Sequence, residues 1–116
     1  MKIEKFQIKA HEFKHSIEVQ RQCTDEVDDE GLPCEEHWDA LLKTRAKVIN
    51  AGGSERLQAK QIGMEIDKTF YIRARRDKEI TDKDRILYKG DYYNIVYVNN
   101  VQDSDMYIEI KAKLVE

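Results

Sequence analysis

Few residues that staple or punctuate a chain occur here: 116 residues hold two cysteines, Cys23 and Cys34, one proline, Pro33, one tryptophan, Trp38, and five glycines. Two cysteines flanking an acidic stretch make no disulfide framework. Without an export signal the chain meets a reducing cytosol, where free thiols are expected. No apolar run approaches the roughly 18 residues of a membrane span. The opening MKIEKFQIKAHEFKHS puts charges where a signal peptide needs its apolar stretch, so the chain is expected to stay in the compartment where it is made. An excess of basic charge is missing too: 20 Lys and Arg stand against 23 Asp and Glu, a formal net charge of −3. Broad, salt-driven DNA binding depends on many cations displacing counterions, so this balance argues against it while leaving local basic faces open.

What is present fits one folded domain spanning 1–116. Hydrophobic residues make up 41% and charged residues 37%, too apolar for disorder and too charged for a membrane protein. A chain of this length buries about two thirds of its unfolded surface without staples.

Strand periodicity dominates. In FKHSIEVQRQ, residues 13–22, Phe13, His15, Ile17 and Val19 alternate on what would be one strand face, with 1–12 an arm or a short preceding strand. Residues 23–36, CTDEVDDEGLPCEE, hold Gly31, Pro33 and seven carboxylates, so charge repulsion and turn residues predict a long mobile loop. HWDALLKTRAKVI, 37–49, fits a helix in its first half and a strand in its second, and a strand is the expectation. NAGGSE is a turn whose Ser54 could cap a helix, leaving 55–63 as one or two helical turns or a twisted strand end. In MEIDKTFYIRAR, 64–75, Phe70, Ile72 and Ala74 share one face and Tyr71, Arg73 and Arg75 the other. RILYKG and DYYNIVYV flank Gly90 as a hairpin. MYIEIKAKLV closes the chain, with Met106, Ile108, Ile110, Ala112 and Leu114 directed inward and Tyr107 outward. The fold class expected is all-β with at most one short helix: a small β-barrel or two-sheet sandwich carrying a mobile acidic loop.

Candidate chemistry is sparse. Cys23, Cys34, His37 and His15 are zinc-ligand types, but only Cys34 and His37 have the close spacing a zinc site uses, so no metal or other cofactor is expected. Cys34 beside His37 lacks a nucleophile's frame, and no carboxylate pair sits in an apolar setting that would separate acid from base, so the chain is not expected to be an enzyme. Gly52 and Gly53 before Ser54 lack the lysine and spacing of a phosphate loop. Tyr71, Arg73, Arg75, Arg76 and Lys78 put aromatic and basic groups together. They form a possible basic contact face, or, with Tyr71, Arg73 and Arg75 foremost, an oligonucleotide-binding barrel. The same charges also serve as an ordinary solvated strand face that discourages aggregation. Trp38, at the end of the loop, is read as a core anchor.

Taken in order, FKHSIEVQ, a loop ending in Trp38, Glu55 and Ala59, TFYIRAR, EITDKDRILYKGDYYNIVYV and IEIKAKLV resemble the head-tail joining, or head closure, proteins of tailed bacteriophages and prophages. The most specific stretch is 69–95, where Ile80-Thr81, Asp84-Arg85-Ile86, Tyr88, Gly90 and Tyr93-Asn94-Ile95 follow in the family's order; Ser16 before Ile17, where the family often has arginine, departs from it. The resemblance implies a structural virion protein made in the bacterial cytoplasm. Such proteins form a ring, commonly of twelve copies, between portal and adaptor on one side and tail on the other, with DNA passing through unread. The partner-binding residues expected on that basis are the loop carboxylates Asp25, Glu26, Asp28, Asp29, Glu30, Glu35 and Glu36. They either line the channel, where they repel DNA, or dock on a basic patch of an adjacent ring.

Overall fold

In the computed structural model, which describes residues 8–22, 37–75, 77–101 and 105–115, six antiparallel strands close into a barrel. The strands are β1 (His15–Gln22), β2 (Trp38–Asn50), β3 (Lys68–Arg73), β4 (Arg85–Tyr88), β5 (Asp91–Asn100) and β6 (Tyr107–Leu114). Their order around the barrel is β1-β2-β3-β6-β5-β4, with β4 pairing back onto β1. Of the two architectures expected from the sequence, the barrel is the one formed. Closure leaves no strand edge among these six, which removes a route to edge-to-edge aggregation.

Alternation builds the interior. Ile17 and Val19 from β1, Leu42 and Ala46 from β2, Phe70 and Ile72 from β3 and Ile110 and Ala112 from β6 point inward. They meet Ile86 and Tyr88 from β4 and Tyr93 and Ile95 from β5. Phe70 is fully buried, edge-on to Tyr88 and Tyr93 at centroid distances of 5.7 and 5.5 Å.

The β4–β5 hairpin turns on Lys89 (φ 49°) and Gly90 (φ 83°), between the paired residues Tyr88 and Asp91. Two positive φ values in a two-residue loop match the twist of the flanking strands. Glycine adopts that geometry freely; lysine at the first position does so at a cost of about 1 kcal/mol. Lys89→Asn is therefore expected to stabilise the protein by about 0.5–1 kcal/mol, since asparagine tolerates the left-handed region. A higher urea midpoint with unchanged m-value is the check.

Three details depart from the sequence expectations. The third strand begins at Lys68 and ends at Arg73 instead of covering 64–75. Met64 and Ile66, with Ala51 and Ala59, instead pack in a small cluster beside a helix. That helix, α1 (Gly53–Gln61), has Gly52 as its N-cap, so Ser54 lies within it and does not cap it. It ends in a left-handed Gly63, with Gly63 N–H donating to Lys60 O and Met64 N–H to Ala59 O, the pairing of a Schellman motif. Residues 10–12 form a 3-10 turn, which agrees with the arm, one of the two alternatives for 1–12. Met106 lies outside β6 and is exposed. Tyr107 is buried, because Phe13, Ile8 and Val101 cover it on the barrel's outer face. A half-buried strand with a covered outer face violates simple alternation.

Candidate functional site

Antiparallel pairing sorts the connections between two ends of the barrel. Gln22 pairs with Trp38, Gln20 with Arg85 and Arg73 with Tyr107, so the β1–β2, β3–β4 and β5–β6 connections share one end, here called the mouth. Helix α1, the Lys89-Gly90 turn and the start of β1 lie at the other end. The β3–β4 connection must cross the mouth, since β6 and β5 stand between those strands in the barrel order. Ile80 reaches from it onto the core.

The crossing is fastened by Asp84, whose side chain is fully buried. Its carboxylate accepts from Arg21 Nε at 2.9 Å, Arg21 Nη2 at 3.1 Å and Thr81 N–H at 2.9 Å, while Arg21 Nη2 also donates to Glu79 O at 2.7 Å. Hydrogen bonding to Asp84, opposed by partial burial, pushes the Arg21 guanidinium above its ordinary value. A cavity of about 520 Å³ lies in the mouth, with Leu42, Ile72, Val98 and Ile108 among its apolar lining and Arg75 and Lys78 among its polar lining.

The predicted basic contact face is therefore divided. Arg75 pairs with Asp77 at 2.9 Å and borders the mouth cavity with the exposed Lys78. Arg73 sits on the outer face, its guanidinium 4.4 Å from the Phe13 ring centroid. Arg76 and the loop carboxylates Asp25, Glu26, Asp28, Asp29, Glu30, Glu35 and Glu36 lie outside the described residues, as do Cys23 and Cys34. Tyr71 does not present the free stacking face an oligonucleotide site would use. Its hydroxyl donates to Glu109 at 2.6 Å, its ring packs against the Ile8, Phe13, Val101 and Tyr107 cluster, and burial together with that carboxylate pushes the phenol up. His15 and His37 lie at opposite ends of β1–β2, roughly 25 Å of strand apart, so they share no metal site.

His15 has a different environment. Its Nδ1 lies 3.2 Å from the Tyr88 hydroxyl, and its ring stands edge-on to Tyr88. Burial, then Lys89, Lys14 and Lys68, depress its pKa below the ordinary value. A histidine whose folded pKa is depressed binds fewer protons folded than unfolded, so stability falls as pH drops below about 6.5. Among the described residues the carboxylates with depressed values, Glu12, Glu65 and Asp77, act only at more acidic pH, below the window in which His15 contributes. Urea midpoints at pH 7.5 and 5.5 should differ measurably in the wild type and less in His15→Gln.

Sequence reasoning missed the outer face opposite the N-terminal arm. There Arg85 of β4 is flanked by two aromatics, its guanidinium carbon 4.1 Å from the Trp38 ring centroid and 3.9 Å from that of Tyr92. Arg85 Nε donates to Gln20 Oε1 at 2.7 Å, and the Gln20 amide is itself held by Glu18. Trp38 is thus a partly buried surface residue stacked on an arginine, which corrects its reading as a core anchor. Diagonal cross-strand placement, which brings Arg85 and Tyr92 together, is visible only once register is known. A second uncovered surface is α1, where Leu57 is 60% and Ile62 at its C-cap 72% exposed.

Compared with known families, residues 8–115 match the model of the phage head completion protein. The chain belongs to that family. This is the class of protein the sequence resemblance pointed to, and membership makes the chain a virion-associated structural component of the phage head-tail region. Among solved structures it is similar to protein SF1141 from Shigella flexneri 2a, at TM-score 0.66 and 19% identity over 87% of this chain and 91% of that one. It is also similar to a chain of the virion of a native gene transfer agent particle, at TM-score 0.58 and 18% identity over 88% of this chain and 94% of that one. At these identities the likeness is one of fold. None of the curated proteins matches the chain in sequence. No helix among the described residues is long and apolar enough to cross a membrane.

Proposed function

We propose that copies of this chain form a ring between the portal and adaptor on one side and the tail on the other, with DNA passing through without sequence-specific contact. The observation that carries this reading is the family match over 8–115, which spans the whole barrel together with its arm and helix. The barrel suits the role because a closed sheet offers no edge for strand addition, so partners must dock on side-chain faces and end loops. In a ring each subunit makes heterologous contacts on two sides, which requires two different surfaces. The Arg85 face and the exposed side of α1 are two such surfaces.

In this reading the chain is structural and performs no catalysis. It is made in the host cytoplasm and acts in the virion. The carboxylates Asp25, Glu26, Asp28, Asp29, Glu30, Glu35 and Glu36 serve as contact residues against basic surfaces, and Arg73, Arg75, Arg76 and Lys78 as basic contact residues, of which Arg75 and Lys78 border the mouth. The test is negative-stain imaging of the purified chain mixed with the portal and adaptor of the same phage. A ring of added density at the end of that complex is expected. No association, combined with salt-sensitive binding of single-stranded DNA, would overturn the proposal.

A further inference from the structure

We propose that Arg85 is a preorganised carboxylate receptor, and that its ligand is the acidic stretch 25–36 of a second copy of this chain. An exposed arginine normally samples many rotamers and gives up that freedom when it pairs, which is one reason surface ion pairs contribute little. Arg85 has already given it up: Trp38 and Tyr92 flank the guanidinium plane at 4.1 and 3.9 Å, and Gln20 fixes Nε at 2.7 Å. Its two Nη groups have no acceptor among the described residues and stay available in the fork geometry that matches a carboxylate. Glu18, the neighbouring carboxylate on β1, is taken up by Gln20 and Lys43. Tyr92 is 38% exposed, so the site opens to solvent. Aromatic residues and arginine together on a face that no other described element covers are the composition of a protein-binding hot spot.

Charge distribution names the ligand. The 23–36 stretch holds seven carboxylates and no Lys or Arg; with those seven set aside, 16 of the 23 acidic side chains remain against 20 Lys and Arg. One copy thus carries a strongly acidic stretch and a net basic remainder, which is complementary to a second copy of itself. A carboxylate is favoured over a DNA phosphate because the side chains in contact with Arg85 add no further cation: Gln20, Trp38 and Tyr92 are neutral, Lys43 is paired with Glu18, and Arg45 and Lys89 lie further along the wall toward the opposite end of the barrel. The choice of a neighbouring copy rests on the ring reading above.

Trp38, the sole tryptophan, reports on the site directly. A synthetic peptide of residues 24–36 titrated into the full chain should produce a saturable change in Trp38 emission. The apparent affinity should weaken at least tenfold in Arg85→Gln and remain unchanged in Arg56→Gln at the far end. A peptide with amides in place of its carboxylates should give no change. Arg85→Lys keeps the charge without the fork and should bind more weakly than wild type, which covers the case of a poorly folded Arg85→Gln. Equal responses from wild type and Arg85→Gln would overturn the proposal, as would a single-stranded oligonucleotide acting at lower concentration than the peptide. For the trans arrangement, a copy carrying Arg85→Gln is mixed with one carrying Asp28→Asn, Asp29→Asn and Glu30→Gln. Capture of one by the other, exceeding capture of either by itself, is expected; equal capture would place the contact within one chain and overturn it. If Arg85→Gln still adds a ring to the portal complex while the peptide response is lost in wild type as well, the ring reading survives and this contact falls.

Discussion

Replacing Phe70 with alanine is expected to remove about 3–5 kcal/mol of folding stability, out of the roughly 5–15 kcal/mol a domain possesses. The ring has no solvent exposure and lies between Val48 and Ile110 in the strand register. Its edge-on contacts with Tyr88 and Tyr93 each add about 0.5–1.5 kcal/mol beyond area burial. Closure makes the site slow to collapse, because β3 is hydrogen-bonded on both sides and cannot move inward without dragging β2 and β6. Tyr88, which could swing to fill the space, is itself in contact with His15. The cost should therefore lie in the upper half of the range. Phe70→Leu, which retains most of the volume, should cost about 1–2 kcal/mol. Urea denaturation followed by Trp38 emission measures both; a loss below about 1 kcal/mol in Phe70→Ala would show that the core repacks around the gap.

The interior of the barrel was legible because its strands obey a period of two. Phe70 with Ile72, Ile17 with Val19 and Ile110 with Ala112 all face inward as their alternation implies. The hairpin at Gly90 was legible for a similar reason, since the turn chemistry is local. Legibility failed wherever a residue answers to something distant in sequence. Tyr107 alternates outward and is nevertheless buried, because residues 8–13 return along the outside of β3 and β6 to cover it. Lys47 pairs with Glu12 along the same path. Helix α1 has only Ala59 buried among its residues and so shows little amphipathic pattern to read.

The surfaces were less legible than the core. Arg85 sits in a polar stretch between a turn and a strand, and nothing local separates it from Arg73 or Arg75. What distinguishes it is a pair of aromatics 47 residues before and seven after, brought together by β1–β2, β1–β4 and β4–β5 pairing. Basic residues grouped by sequence, Arg73, Arg75 and Lys78, are instead shared out between the arm, a local aspartate and the mouth. Proximity in sequence predicts a shared face only within one strand, and the basic run extends past the end of β3.

Asp84→Ala is expected to cost about 2–4 kcal/mol, and the argument for that range is one of asymmetry. Deleting one partner of a fully buried pair costs about 3–5 kcal/mol because the other charge is stranded. Here Asp84 is fully buried but Arg21 is 46% exposed, so the cation left behind recovers water and the loss is smaller. Against that saving, the Thr81 N–H loses its acceptor and the crossing connection loses its only carboxylate contact to β1 among the described residues. Arg21→Ala should be the more damaging of the two, since it leaves the buried carboxylate with Thr81 alone. The double substitution should cost less than the sum of the singles, by about 1.5–3 kcal/mol, the strength of charge-assisted hydrogen bonds. Urea denaturation of the four proteins closes the cycle, and additive losses would show that Asp84 and Arg21 act separately. Hydrogen exchange locates the effect: amides of 77–83 should lose protection first, because the connection over the mouth is tied down chiefly by this carboxylate and Ile80. Since that connection carries Lys78 and follows on Arg75, loosening it should also weaken docking on the mouth; Asp84 and Arg21 adjoin Arg85 and Gln20 in the chain, so the Arg85 face is expected to be disturbed as well.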